Sequence, residues 1–339
     1  MRLLLVLLLT LPCLARAQSE LTVVGFGGGF QDAARRALFE PWSRATGIPV
    51  RDDSYNGEMA RIYAMTRTRD VVWDVVMVEA PELARGCEDG IFQRMDWSVV
   101  DRTKFAPSTT SECGAGAVSW GAALFWDTTR TARAPKGFAE LWDTERFPGK
   151  RALRWGAKMT LEVALLADGV PRDQVYAVLA TREGQDRAFR KLDAIRDDLV
   201  FWRSGAQPMQ LVNGGEATYA LGYTGRVVQA NAQAPGRYAM DWGTLLWSVD
   251  SWAVVAGSPH AAEGFRFIQG ITELEPLKRL AAIWPASPAH RAFAEDAAIR
   301  AANPDAVASH AAQGLFLDTR FWVEKGEDLE KRFAAWAQR

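Results

Sequence analysis

Short apolar runs alternate with longer stretches of mixed polarity along this chain, and their spacing assigns most of its elements. Leu21 to Val24 reads as a strand, followed by a glycine loop from Gly25 to Gly29 and a helix from Gln31 to Thr46 that stops at Gly47. Ile48 to Arg51 resumes as a strand, and Val71 to Val78 is a nearly continuous apolar run of the kind buried on both faces of a parallel sheet. Further strands are expected at Val118–Trp126, Leu199–Trp202, Thr218–Tyr223 and Leu245–Val255. Helical spacing covers Glu162–Ala167 and Asp186–Ile195, and helices are expected from Ala261 to the C-terminus. This alternation implies an α/β protein with mostly parallel sheets. A length of 339 residues suits two domains of about 150 residues each. No repeat, low-complexity tract or flexible linker separates them, so the chain is expected to cross between two lobes more than once.

The N-terminus follows a different pattern. Met1 and Arg2 precede an apolar run from Leu3 to Leu14 and an Ala15-Arg16-Ala17 ending, the build of a secretory signal peptide. The run falls short of the roughly 20 residues a permanent membrane helix needs. Cleavage after Ala17 is expected to leave a soluble, exported, monomeric protein in the periplasm. Pro12 stands where a lipoprotein signal before Cys13 would want a small residue. Of the 3 cysteines, Cys13 leaves with the signal, and Cys87 and Cys113 remain as a pair. An oxidising compartment favours a disulfide between them.

Charge and motifs narrow the chemistry. The 40 basic and 41 acidic residues nearly cancel, and losing Arg2 and Arg16 leaves 38 against 41. No basic excess for nucleic acid exists. Three histidines, His260, His290 and His310, all fall late in the chain, a poor basis for a metal site, and no cofactor is expected. Gly25-Phe26-Gly27-Gly28-Gly29-Phe30 lies between a strand and a helix, but a dinucleotide fingerprint would need glycine where Phe30 stands. Gly149-Lys150-Arg151 lacks the upstream glycine and the hydroxyl residue of a P-loop. No nucleophile-elbow, zincin or EF-hand pattern occurs. Carboxylates such as Asp74, Glu79 and Glu82 leave an exported hydrolase as the rival to a binding protein.

A set of ordered stretches carries a family resemblance. They are Phe39-Glu40-Pro41-Trp42 through Thr46-Gly47-Ile48-Pro49-Val50, Trp73-Asp74-Val75-Val76, Leu141-Trp142-Asp143 with Phe147-Pro148-Gly149-Lys150-Arg151, Gly215-Glu216, and Asp250-Ser251-Trp252-Ala253-Val254. Together they resemble the spermidine/putrescine-binding-protein family, the substrate-binding components of ABC importers. The resemblance implies a type II two-lobed fold, with a ligand cleft between lobes joined by hinge strands and delivery to a membrane permease. It places lobe one at 18–126 plus 250–298 and lobe two at 127–249 plus 299–339. It also places Phe26, Glu79, Tyr223, Trp247 and Asp250 at or near pocket positions, as aromatic walls and acidic groups for a small amine. Lys158 and Met159 stand where polyamine binders carry further acidic residues, which disfavours a long polycation.

The side chains themselves suggest the ligand's two ends. An ammonium over an aromatic face gains about 0.5–2 kcal/mol, and the Asp250 carboxylate would add a charge-assisted hydrogen bond. Arg226, after Tyr223-Thr224-Gly225, has the fork geometry that suits a carboxylate. Both facing one cleft would select a zwitterion such as an ω-amino acid of the γ-aminobutyrate type, with a putrescine-like amine as the other candidate. Plainer readings stand beside these. Phe26, Trp120 and Trp247 each suit a core, Glu79 suits a helix cap, and Arg226 suits a surface ion pair. Most of the 14 tryptophans, Trp42, Trp73, Trp142, Trp322 and Trp336 among them, are expected to be structural. A periplasmic ligand-sensing subunit is a further rival.

Overall fold

A computed structural model describes residues 20–106, 109–131 and 133–339; the expected signal peptide, with Cys13 and the Ala17 cleavage point, lies outside them. Strand β1 (Leu21–Gly25) pairs in parallel with β2 (Val50–Ser54) and β3 (Val75–Glu79). On the far side, β5 (Arg151–Arg154) pairs in parallel with β6 (Leu199–Trp202) and β7 (Tyr219–Tyr223). Between them run two long strands, β4 (Ala115–Asp127) and β8 (Tyr238–Val254), giving the order β2-β1-β3-β8-β4-β7-β5-β6.

The expectation of mostly parallel sheets needs correcting at the centre. The β3–β8, β8–β4 and β4–β7 pairs are all antiparallel. A buried strand is apolar on both faces in either direction, so periodicity does not report which way its neighbour runs. Two irregularities interrupt the β4–β8 ladder, between Gly116 and Val118 and between Ala122 and Leu124. Such breaks bend and twist a strand pair, which lets these strands pass from one lobe into the other.

Each lobe has its own core. Leu21, Val75, Met77, Trp252 and Phe267 belong to one side. Leu124, Leu161, Val163, Trp202 and Leu221 belong to the other, with Trp322 and Trp336 of the C-terminal helix (Thr319–Ala337) packed into it. Trp42, Trp73 and Trp142 are buried as well.

Local departures have local causes. The first helix begins at Gly28 and widens into a π-helical turn at Arg35–Phe39 before continuing to Thr46. Pro41 has no N–H for the usual i−4 bond, and a wider turn absorbs that loss. Gly47 then ends the helix in the left-handed conformation, at φ 74°. Laddered β3 begins only at Val75. Just before it the Asp74 carboxylate accepts hydrogen bonds from Thr22 N at 2.7 Å and Ser258 Oγ at 2.6 Å. Two short strands, β9 (Ser287–Pro288) and β10 (Leu315–Phe316), interrupt the expected C-terminal helices. Cys87 and Cys113 form a disulfide.

Candidate ligand-binding site

Parallel strands deliver the loops at their C-terminal ends to one side of a sheet, and in α/β proteins ligands bind there. Here β1 leads to Phe26, β3 ends at Glu79, β5 ends at Arg154, β6 ends at Trp202 before Arg203, and β7 ends at Tyr223 before the Thr224–Gln233 helix. All of them line a cavity of about 200 Å³, together with Trp120 from β4 and Asp250 from β8. The lining therefore draws on both lobes and on the strands that join them.

Six aromatic residues, Phe26, Phe30, Trp120, Trp202, Tyr223 and Trp284, contribute to the wall. Phe26 stacks on Tyr55 at 5.3 Å with the rings 12° apart, and Tyr55 is fixed by its hydroxyl donating to Met77 O at 2.6 Å. Tyr223 meets Trp120 edge-on at 5.6 Å and Trp202 at 5.7 Å. Phe30 and Trp284 make a further edge contact at 6.3 Å.

Two carboxylates sit side by side on this lining, because Glu79 and Asp250 are direct partners across β3 and β8. Asp250 is buried and accepts a hydrogen bond from Trp120 Nε1 at 2.7 Å. Burial, reinforced by the charge on Glu79, pushes the Asp250 carboxyl well above the usual aspartate range. Glu79 behaves oppositely. Burial alone would raise it, but Lys158, with Arg154 nearby, holds it below the usual glutamate range. Lys158 Nζ lies 2.5 Å from Glu79 and 3.5 Å from Glu82. Glu79 ends β3, whose Val76 and Val78 pack on one side, and Lys158 lies between Ala157 and Met159 of the other core, so this ion pair links the two sides.

The cationic end differs. The guanidinium of Arg226, third residue of the Thr224–Gln233 helix, has no hydrogen bond or ion pair among the described residues, and burial lowers its pKa. Its position is nonetheless narrow. A Cβ on Gly28 would lie 2.9 Å from Arg226 Nη2, and one on Gly205 would lie 3.5 Å from Nε. A partly buried, unpartnered guanidinium beside a helix N-terminus is suited to a carboxylate.

Six of the seven expected site residues, Phe26, Glu79, Trp120, Tyr223, Arg226 and Asp250, line this cavity. Trp247 is not among them; it packs edge-on against Phe316 at 4.8 Å. Alternation along β8 accounts for this, since residues three apart point to opposite faces of a strand. Phe30, Arg154, Trp202, Arg203 and Trp284 line the cavity without having been singled out from the sequence. Trp202 and Arg203 carried one available signal, their position at the end of the apolar run Leu199–Trp202.

Two lobes sharing a pair of long strands, with a charged aromatic cleft between them, define a bacterial solute-binding protein. The chain belongs to the bacterial extracellular solute-binding protein family, whose model matches residues 37–309. It is 42% identical over 330 residues to the γ-aminobutyric acid-binding protein of Pseudomonas aeruginosa, covering 96% of this chain and 93% of that one. An ABC transporter substrate-binding protein from Bradyrhizobium japonicum superposes with TM-score 0.85 at 28% identity, covering 94% and 99% of the two chains. The Atu4243 GABA receptor superposes with TM-score 0.83 at 29% identity, covering 94% and 98%. The chain is a substrate-binding protein of an ABC transporter, exported and not an enzyme.

Proposed function

We propose that this protein captures a small ω-amino acid of the γ-aminobutyrate type in the periplasm and presents it to an inner-membrane ABC permease. The observation that carries this reading is the pairing of Arg226, a guanidinium without a counter-ion among the described residues, with Asp250, a carboxylate of raised pKa, on one cavity. The name of the Pseudomonas aeruginosa relative supports the same chemistry. At about 200 Å³ the cavity is smaller than the roughly 300–1,000 Å³ typical of drug-sized sites.

In this reading the ligand ammonium sits against Asp250, with aromatic faces from Phe26, Trp120 and Tyr223 around it. The arriving cation favours ionised Asp250, so binding near the raised pKa releases a proton and weakens as pH falls. The ligand carboxylate meets Arg226 at the start of the Thr224–Gln233 helix. Its methylenes lie along the rings. Contacts from both lobes favour the closed form, the state the permease would recognise. We assign the lobes as 18–126 plus 250–298 and 127–249 plus 299–339, with the end of β4 from Ala122 already packed into the second core and export completed by cleavage after Ala17.

Calorimetry with γ-aminobutyrate, butylamine and butyrate tests the reading. Each one-ended analogue is expected to bind at least about thirtyfold more weakly, the loss of one desolvated charge pair. Butylamine or butyrate binding as tightly as γ-aminobutyrate would refute it.

A further inference from the structure

A lysine beside the cleft pairs with a carboxylate that a second ligand amine could otherwise take. Glu79 and Asp250 are register partners on adjacent strands, which places their Cβ atoms about 4.5–5.5 Å apart. A half-buried and a buried carboxylate side by side can take two cationic groups. One is already present, because Lys158 Nζ is 2.5 Å from Glu79. Lys158 does not line the cavity itself; it lines the neighbouring groove with Glu82, Arg85 and Glu330.

The chain invests structure in holding it there. Lys158 is buried, and its N–H donates to Glu330 Oε1 at 3.2 Å while Ala157 N donates to Glu330 Oε2 at 2.9 Å. Glu330 belongs to the C-terminal helix, so that helix fixes the turn carrying the lysine. The next residue, Met159, is buried with φ at 75°, a conformation non-glycine residues rarely adopt. Strain of this kind, costing about 1–3 kcal/mol, persists where the surroundings enforce a particular geometry.

We propose that Lys158 is a specificity-determining residue, an internal ammonium that satisfies Glu79 and leaves Asp250 as the single position for a ligand cation. The inference rests on the ω-amino acid reading above. With Lys158 in place the site takes one ammonium and one carboxylate. Without it, Glu79 and Asp250 form an uncompensated acidic pair, and the site shifts toward dications such as a 1,4-diamine. Arg154 also lines the cavity, so the shift is one of relative preference.

The test is calorimetric titration of γ-aminobutyrate and putrescine into the full-length mature protein and its Lys158→Met, Lys158→Arg and Lys158→Met/Glu79→Gln variants, with thermal melts to verify folding. The putrescine to γ-aminobutyrate affinity ratio is expected to rise at least roughly tenfold in Lys158→Met, as expected for removing a cation close to a poorly solvated site. It is expected to stay within about threefold of the parent in Lys158→Arg and in the double variant, where charges balance again. Lys158→Gln replaces Lys158→Met should the latter fail to fold. An unchanged ratio after loss of the lysine, including equal losses for both ligands as from a purely structural brace, overturns the proposal. So does a raised ratio that survives in the double variant. The parent protein's γ-aminobutyrate titration separately tests the ω-amino acid reading: a flat titration refutes that reading, whereas normal γ-aminobutyrate binding with an unchanged ratio refutes the role of Lys158 alone.

Discussion

Replacing Arg226 by methionine should separate binding from stability, and with opposite signs. In the ligand-free protein the guanidinium has no partner among the described residues, and burial opposes its charge. Methionine keeps a comparable apolar stem and removes a poorly solvated cation. Urea denaturation of the free variant should therefore show stability unchanged, or raised by up to about 1 kcal/mol. With ligand bound, the same guanidinium would be half of a desolvated, hydrogen-bonded ion pair. Truncating one member of such a pair costs about 2–5 kcal/mol, or roughly 30- to 5,000-fold in Kd. Calorimetry should show that loss for γ-aminobutyrate and a much smaller one for butylamine, which has no carboxylate. A destabilised free protein together with equal losses for both ligands would mean that Arg226 supports the fold, and the argument would fail.

Other positions make independent demands. Glu162 is fully buried between Tyr176 and Trp322, and its pKa is raised from 4.5 to about 7 by burial. The folded state thus holds a proton the unfolded chain gives up, so this site's favourable contribution is complete below about pH 4.5 and is lost as pH rises to about 7. Glu162→Gln should raise stability by on the order of 3 kcal/mol at pH 8 and by little at pH 4.5; an equal gain at both pH values would contradict this. Removing the Cys87–Cys113 bridge, which closes a separation of 26 residues, by double alanine substitution should cost about 3 kcal/mol in urea denaturation. An unchanged midpoint would show the bridge to be energetically idle. Gly28→Ala places a Cβ at φ +67° and 2.9 Å from Arg226 Nη2. It should lower thermal stability by about 1–2 kcal/mol and weaken γ-aminobutyrate binding, and normal affinity in the variant would show that Arg226 does not need this approach.

The sequence was most informative where one local signal decided the outcome. Leu199–Trp202 is bounded as a strand by its apolar run, and Gly47 ends its helix because the chain needs a left-handed residue there. Long-range arrangement was less accessible. The apolar runs of β4 and β8 indicate burial but not direction, so the antiparallel centre was hidden. Arg154 and Trp202 end strands that converge only once the sheet order is known. The role of Lys158 depends on the backbone at Met159 and on Glu330, far along the chain, so its position could be read but not its pairing. Trp247 was decidable from the start, since its odd spacing from Asp250 puts the two on opposite faces of one strand.

The two long strands also bear on the order in which a ligand leaves. Asp250 and Trp120 lie on β8 and β4 themselves, close to any axis about which the lobes could swing, whereas Arg226 lies out on a helix of the second lobe. An opening rotation therefore displaces the guanidinium much further than the carboxylate. For an ω-amino acid held as proposed, departure would be a two-step peel, with the acid end freed first while the amine end is still tethered at the pivot. A solute half released in this way already faces outward, oriented for whatever receives it.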